Sequence, residues 1–201
     1  MGKGKHSSLW TTDRPGACLA VASRWPDNPE EISVWLDWVF AGGKLVLLEL
    51  PVGEYQILDA QISVSAMGFS PALFASRATD HELVAEMQPK DFFCWHDEIR
   101  NQITPLLAST FSTRSPWNPI LNSGYSDWGR KRTFALAAAE RSYGQGQIVI
   151  CQLLLTSRLK TNPAAARFVE KLLAPLDDLL SPKNVTRKCT QPELATVEVS
   201  I

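Results

Sequence analysis

The stretch Tyr143-Gly144-Gln145-Gly146-Gln147-Ile148-Val149-Ile150-Cys151-Gln152-Leu153-Leu154-Leu155 decides the fold class. A glycine-flanked tight turn feeds a continuous apolar run, and Asn162-Pro163 then opens a long apolar helix. A strand that is apolar on both faces must be covered on both faces, which predicts a layered α/β domain. The glycine pair joins Phe134–Arg141 to Gln147–Leu155, so Gly144-Gln145-Gly146 reads as a hairpin turn. A phosphate-binding loop would instead feed a helix N-terminus, where free N–H groups and the dipole hold the anion.

Working outward, Ala17–Ser23 reads as a short buried strand. Asn28-Pro29-Glu30-Glu31 is a helix start: Asn28 caps, Pro29 suits the first helical position and Glu31 stands at the capping-box position. Ile32, Trp35, Leu36, Val39 and Phe40 then share one helical face. Gly42-Gly43 ends that helix, and Lys44–Leu50 follows as a second buried strand. The three pieces form a βαβ crossover with parallel strands. Further on, Ile57–Met67 is expected to be a helix, Ala72–Ala78 a strand and His81–Met87 a short turn or helix. Pro89–His96 is an aromatic loop or short strand, and Ile120–Ser123 is a strand entering a loop. Ile99–Trp117 has no clear assignment. The final helix turns Phe168, Val169, Leu172, Leu173, Leu176 and Leu180 inward, with Pro175 a point of kinking or termination.

The expected organisation is a flexible arm over 1–16, one α/β domain over 17–181 and a tail over 182–201. At 201 residues, with 45% apolar and 20% charged residues, the chain suits one medium globular domain. A net charge of −1 gives no electrostatic pull toward nucleic acid or an anionic membrane. The clusters Arg130-Lys131-Arg132 and Arg187-Lys188 read as solvated loops. No apolar run approaches the ~18 residues of a membrane helix, and the N-terminus lacks the apolar stretch of a signal peptide. Cys18, Cys94, Cys151 and Cys189 form no C-x-x-C pair, which excludes a zinc knuckle and leaves a reducing, cytoplasmic compartment as the expectation.

Candidate chemistry is sparse. Cys94 is the best thiol, with His96, Asp97 and Glu98 beside it, yet no G-x-C-x-G or G-x-S-x-G elbow surrounds a nucleophile. His81, Asp91, His96, Asp97 and Glu98 follow no metal-ligand spacing, so no metal or cofactor is expected. Glu49 ends a strand at the edge where α/β sheets place ligands. Glu30-Glu31 is accounted for by helix capping. Trp35 and Trp38 belong to the first helix. Trp95, Trp117 and Trp128 fall in loops, where indoles either pack or stack on sugar rings and partner surfaces.

Four ordered markers carry a resemblance: Trp35–Leu48, then His81-Glu82-Leu83 with Pro89-Lys90-Asp91-Phe92, then Tyr143–Leu153, then Asn162-Pro163-Ala164-Ala165. From about Ser23 to Ala174 the chain resembles the class I glutamine-amidotransferase-like domains that accompany bacterial glycoside hydrolases, including family 2 β-galactosidase-like enzymes. The resemblance implies a three-layer, flavodoxin-like fold with a mostly parallel central sheet and a C-terminal hairpin. Working amidotransferases carry an elbow cysteine and a later His-x-Glu. Here Leu50 is followed by Pro51-Val52-Gly53-Glu54, and no His-x-Glu occurs. The resemblance therefore implies a non-catalytic accessory or assembly domain, a homo-oligomer or a partner of a glycosidase catalytic domain. Two rivals stay open. One is a hydrolase of a sugar or amide using Glu49, Asp91, Cys94 or His96. The other is a carbohydrate-binding module using Trp95, Trp117 and Trp128.

Overall fold

The computed structural model describes residues 9–11, 19–67, 80–125 and 133–174. In chain order its elements are β1 (Leu9–Thr11), β2 (Leu19–Ala22), α1 (Pro29–Phe40), β3 (Lys44–Leu48), β4 (Gly53–Ile57) and β5 (Ala60–Ala66). After two short 3-10 turns come β6 (Trp95–Asp97), β7 (Gln102–Thr104), β8 (Ser109–Thr113), β9 (Asn118–Tyr125), β10 (Thr133–Tyr143), β11 (Gly146–Cys151) and α2 (Pro163–Leu172). The expected strand over Ala72–Ala78, Trp128, the tail over 182–201 and the segment from Pro175 onward lie outside the described residues.

The flavodoxin-like, three-layer expectation is corrected: the described residues form a curled, mixed sheet of half-barrel shape with two α-helices. Only β2, β3 and β11 run parallel, with β3 between the other two. Every other pairing is antiparallel, giving the order β1-β2-β3-β11-β10-β8-β5-β4 with β9 on β10. Ile57–Met67, expected as a helix, instead holds the end of β4, a two-residue turn and β5. Ala60, Ile62 and Val64 are buried while Gln61 and Ser65 are exposed, the two-residue period of a half-buried strand. A hairpin therefore stands where a crossover helix was expected, and the chain returns antiparallel. Leu9–Thr11, inside the expected arm, pairs with β2.

β10 is the seam of the sheet. Leu136 has partners in both β9 and β8, while Ala138, Ala139 and Glu140 have partners in both β9 and β11. A strand has two edges, so β9 runs along one and β11 and β8 share the other. A register shift near Ala138 marks a bulge, which bends a strand and increases its twist.

Alternation through β3 and β11 divides the core. Leu45, Leu47, Ile148 and Ile150 face α1, meeting Trp35 and Val39. Val46, Val149 and Cys151 face α2, meeting Ala165, Phe168 and Leu172. Asn28 caps α1 through its side chain, which accepts from Glu30 N at 2.9 Å. Gly144 has φ +61°, and Gln145 N donates to Phe40 O at 3.0 Å, so the β10–β11 turn docks on the C-terminus of α1. No described helix is long and apolar enough to cross a membrane, which says nothing of strands.

Candidate functional site

The C-terminal ends of β3 and β11 open onto the segment 152–162, and Glu49, His96, Asp97 and Glu98 gather around it. Glu49, directly after β3, has φ +51°, a left-handed conformation that a side chain beyond glycine adopts only under local constraint. Its amide donates to Cys151 O, and its Oε1 accepts from Leu155 N at 3.1 Å and from Thr156 Oγ1 at 3.3 Å. The carboxylate thus ties the exit of β3 to the exit of β11.

Asp97 closes β6. It is buried, and its Oδ1 accepts from Ile99 N and Arg100 N at 3.0 Å and from Ser157 Oγ at 3.3 Å. The amide of Arg100, then that of Ile99 and the guanidinium of Arg158, hold its carboxyl below the ordinary aspartate value. Arg158 is 3% exposed, lies 3.5 Å from Asp97 Oδ2, and donates to Leu154 O and Thr104 Oγ1. Burial depresses its proton affinity, opposed by Asp97 and Glu49.

The neighbours of Asp97 do similar work. Glu98 Oε1 accepts from Lys160 N at 2.6 Å and Thr161 N at 3.0 Å. His96 places Nδ1 at 3.2 Å from Thr161 Oγ1 and Nε2 at 3.2 Å from Asn101 Oδ1. Both ring nitrogens are engaged, so neither faces a waiting reactant.

The remaining nominated residues stand apart from this cluster. Asp91 Oδ2 accepts from Gln88 N at 2.8 Å at the start of a 3-10 turn, a local capping contact. Cys94 is half-buried against the core beneath α2. Cys151 is fully buried, and burial pushes its thiol up to about 12, which keeps it protonated and unreactive. Trp95 and Trp117 are 3% and 7% exposed, and Trp95 Nε1 donates to Asp91 O. Neither ring offers a face for stacking on a sugar. Among the described residues, no group of three or more His, Cys, Asp or Glu side chains converges as metal ligands.

Sequence reasoning missed a polar cluster at the opposite, N-terminal end of the parallel strands. Lys44 opens β3 and is 1% exposed, with Nζ donating to Ala174 O at 2.9 Å just beyond α2. A cation at a helix C-terminus meets the negative end of the dipole. Burial lowers its amine to about 8, partly offset by Glu140. Burial pushes Glu140 upward, but hydrogen bonds from His81 and Asn118 and the charge of Lys44 outweigh it and leave it low. His81 Nε2 lies 3.0 Å from Glu140 Oε1, and its Nδ1 accepts from Leu83 N. That bond leaves the ring proton on Nε2, so His81 donates to Glu140 and has no free nitrogen to act as a base. The signal available in the sequence was the shared face: two-residue alternation sets Lys44 beside buried Val46, under the last turn of α2.

Across these sites the side chains that could do chemistry fasten one loop to another, and no nucleophile, base and orienting group come together among them. No family model matches the chain, and no curated protein matches it.

Proposed function

We propose that this chain is a non-catalytic accessory or assembly domain that serves a glycoside hydrolase. The observation that carries the first half is the engagement of Glu49, His96, Asp97 and Glu98 by hydrogen-bonding partners in the segment 155–162 and, for His96, also by Asn101 Oδ1. Groups that must move protons need a free lone pair or proton aimed at a substrate, and these groups are committed to loop geometry. The link to glycoside hydrolases is supported by the ordered sequence markers alone. Free thiols at Cys94 and Cys151 fit a reducing, cytoplasmic setting.

The test is direct. Purified chain is assayed for aryl-glycoside hydrolysis and for ammonia release from glutamine, and the expected result is no turnover above buffer. Turnover abolished by Glu49→Gln or His96→Ala would replace this reading with a hydrolase. A glycosidase barrel encoded beside this chain, co-purifying with it, is the outcome expected for the second half.

A further inference from the structure

We infer that copies of this chain associate head to tail, the tip of the β6–β7 hairpin of one docking on the outer face of α1 of the next. The inference rests on the assembly reading above and supplies its contact surface.

The hairpin tip is apolar where solvent should reach it. Ile99 is 80% exposed, Ile103 68% and Leu159 39%. The Leu159 segment is held at this end because Glu98 N donates to Ser157 O and Glu98 Oε1 accepts from Lys160 N. Both nearby carboxylates are engaged, buried Asp97 by the turn amides and Arg158, and half-buried Glu98 by the 160–161 amides. The charges left facing solvent are cationic. Arg100 has a 66% exposed side chain and only a 3.9 Å contact with Asp97, and Lys160 is exposed.

The outer face of α1 is the complement. Glu30, Val34 and Asp37 are exposed and fall at i, i+4 and i+7, one stripe of the helix, with Phe40 at its end. Val34 is 42% and Phe40 57% exposed. The helix contains no lysine or arginine. One surface is thus aliphatic with a cationic border, and the other is apolar with an anionic border.

The two surfaces cannot satisfy each other within one molecule. α1 covers the sheet face of Leu45 and Ile148, whereas Trp95 of the hairpin belongs to the core on the opposite face with Val46 and Val149. Joining a patch to a different patch on another copy is a heterologous contact, which closes into a ring or extends. Few side chains take part, so the contact belongs to the transient class that buries less than about 1,200 Å².

The experiment is sedimentation equilibrium of the full chain over a wide concentration range, at low and high salt. The expected result is self-association that weakens as salt is raised. Arg100→Glu with Lys160→Glu, and separately Glu30→Lys with Asp37→Lys, each lower the association constant at least about tenfold. Mixing the two variants restores association, because each reversed surface then meets its opposite. Ile99→Asn weakens association without lowering thermal stability, since that side chain already faces water. A chain that stays monomeric throughout overturns both this inference and the assembly of like copies. Self-association unaltered by either charge reversal overturns the inference alone.

Discussion

The side-chain amide of Asn162 bonds both backbone groups of His96: Nδ2 donates to His96 O at 2.8 Å, and Oδ1 accepts from His96 N at 2.9 Å. A single side chain thereby stands in for a neighbouring strand along the outer edge of β6. The same Nδ2 donates to Arg158 O at 2.7 Å, so the start of α2, the preceding loop and the hairpin are joined at one residue. Asn162 precedes Pro163, yet it makes no side-chain cap on α2; the amide is turned to β6 instead.

Asn162→Ala leaves those backbone groups without partners and lowers stability by about 2 kcal/mol. The measurement is the urea midpoint, with the slope of the transition unchanged. Asn162→Asp keeps an acceptor for His96 N but sets a carboxylate against two carbonyl oxygens. That variant regains part of its stability when the pH is lowered enough to protonate the new side chain.

Asp97→Ala strands the buried guanidinium of Arg158 and frees the turn amides of Ile99 and Arg100. Its destabilisation exceeds that of Asn162→Ala. In the native chain the Asp97 carboxyl is held lower when folded than when unfolded. Its contribution is complete above the unfolded aspartate range and is lost as the pH falls through the lower folded value. Acid titration of the wild type declines through that window, and Asp97→Asn flattens the decline.

Lys44 has the reverse sign. Its amine titrates near 8 in the folded chain and near 10.5 when exposed, so between those values the unfolded chain binds more protons. Stability therefore rises with pH from about 8 toward 10.5, and the charged amine costs the fold on the order of 3 kcal/mol below that window. Lys44→Met, similar in length and apolar, removes the alkaline rise and leaves the protein more stable at neutral pH. Thermal midpoints of both proteins across the window check the prediction.

Gly146→Ala places a methyl group well inside van der Waals contact of Val39 O and Gly43 O. Both neighbours are backbone atoms, so relief requires the β10–β11 turn to separate from the end of α1. The substitution costs about 3 kcal/mol or more and is detected by thermal denaturation.

The parts legible in the sequence are those whose cues are local. Asn28-Pro29 and Asn162-Pro163 open helices, Gly42-Gly43 ends one, and Gly144-Gln145 turns a hairpin, because each acts through its own backbone conformation. The flavodoxin-like architecture failed where partners are remote. The Ile57–Met67 segment carries a two-residue alternation easily mistaken for a weak helical face, and β8 lies in a stretch without a dominant apolar run. Its pairing with β5 depends on residues about 50 positions away, which no window of sequence exhibits. Site reasoning met a similar boundary. Glu49, His96 and Asp97 stand out in the sequence as ionisable residues, but their partners Thr156, Thr161 and Arg158 come from one distant loop, and only the fold reveals that the groups act as fasteners.

The placement of β11 beside β3 also governs the order in which the chain can mature. Gln152 and Leu50 hydrogen-bond across 102 positions of sequence, and β3 receives its second neighbour only when β11 is available. A nascent β2–α1–β3 unit on the ribosome has one flank of its Leu45–Leu47 strand unpaired until the chain has been made as far as Cys151. Closing so long a loop is entropically slow, so synthesis itself presents a sticky intermediate, and chaperone demand falls on that interval rather than on the finished fold.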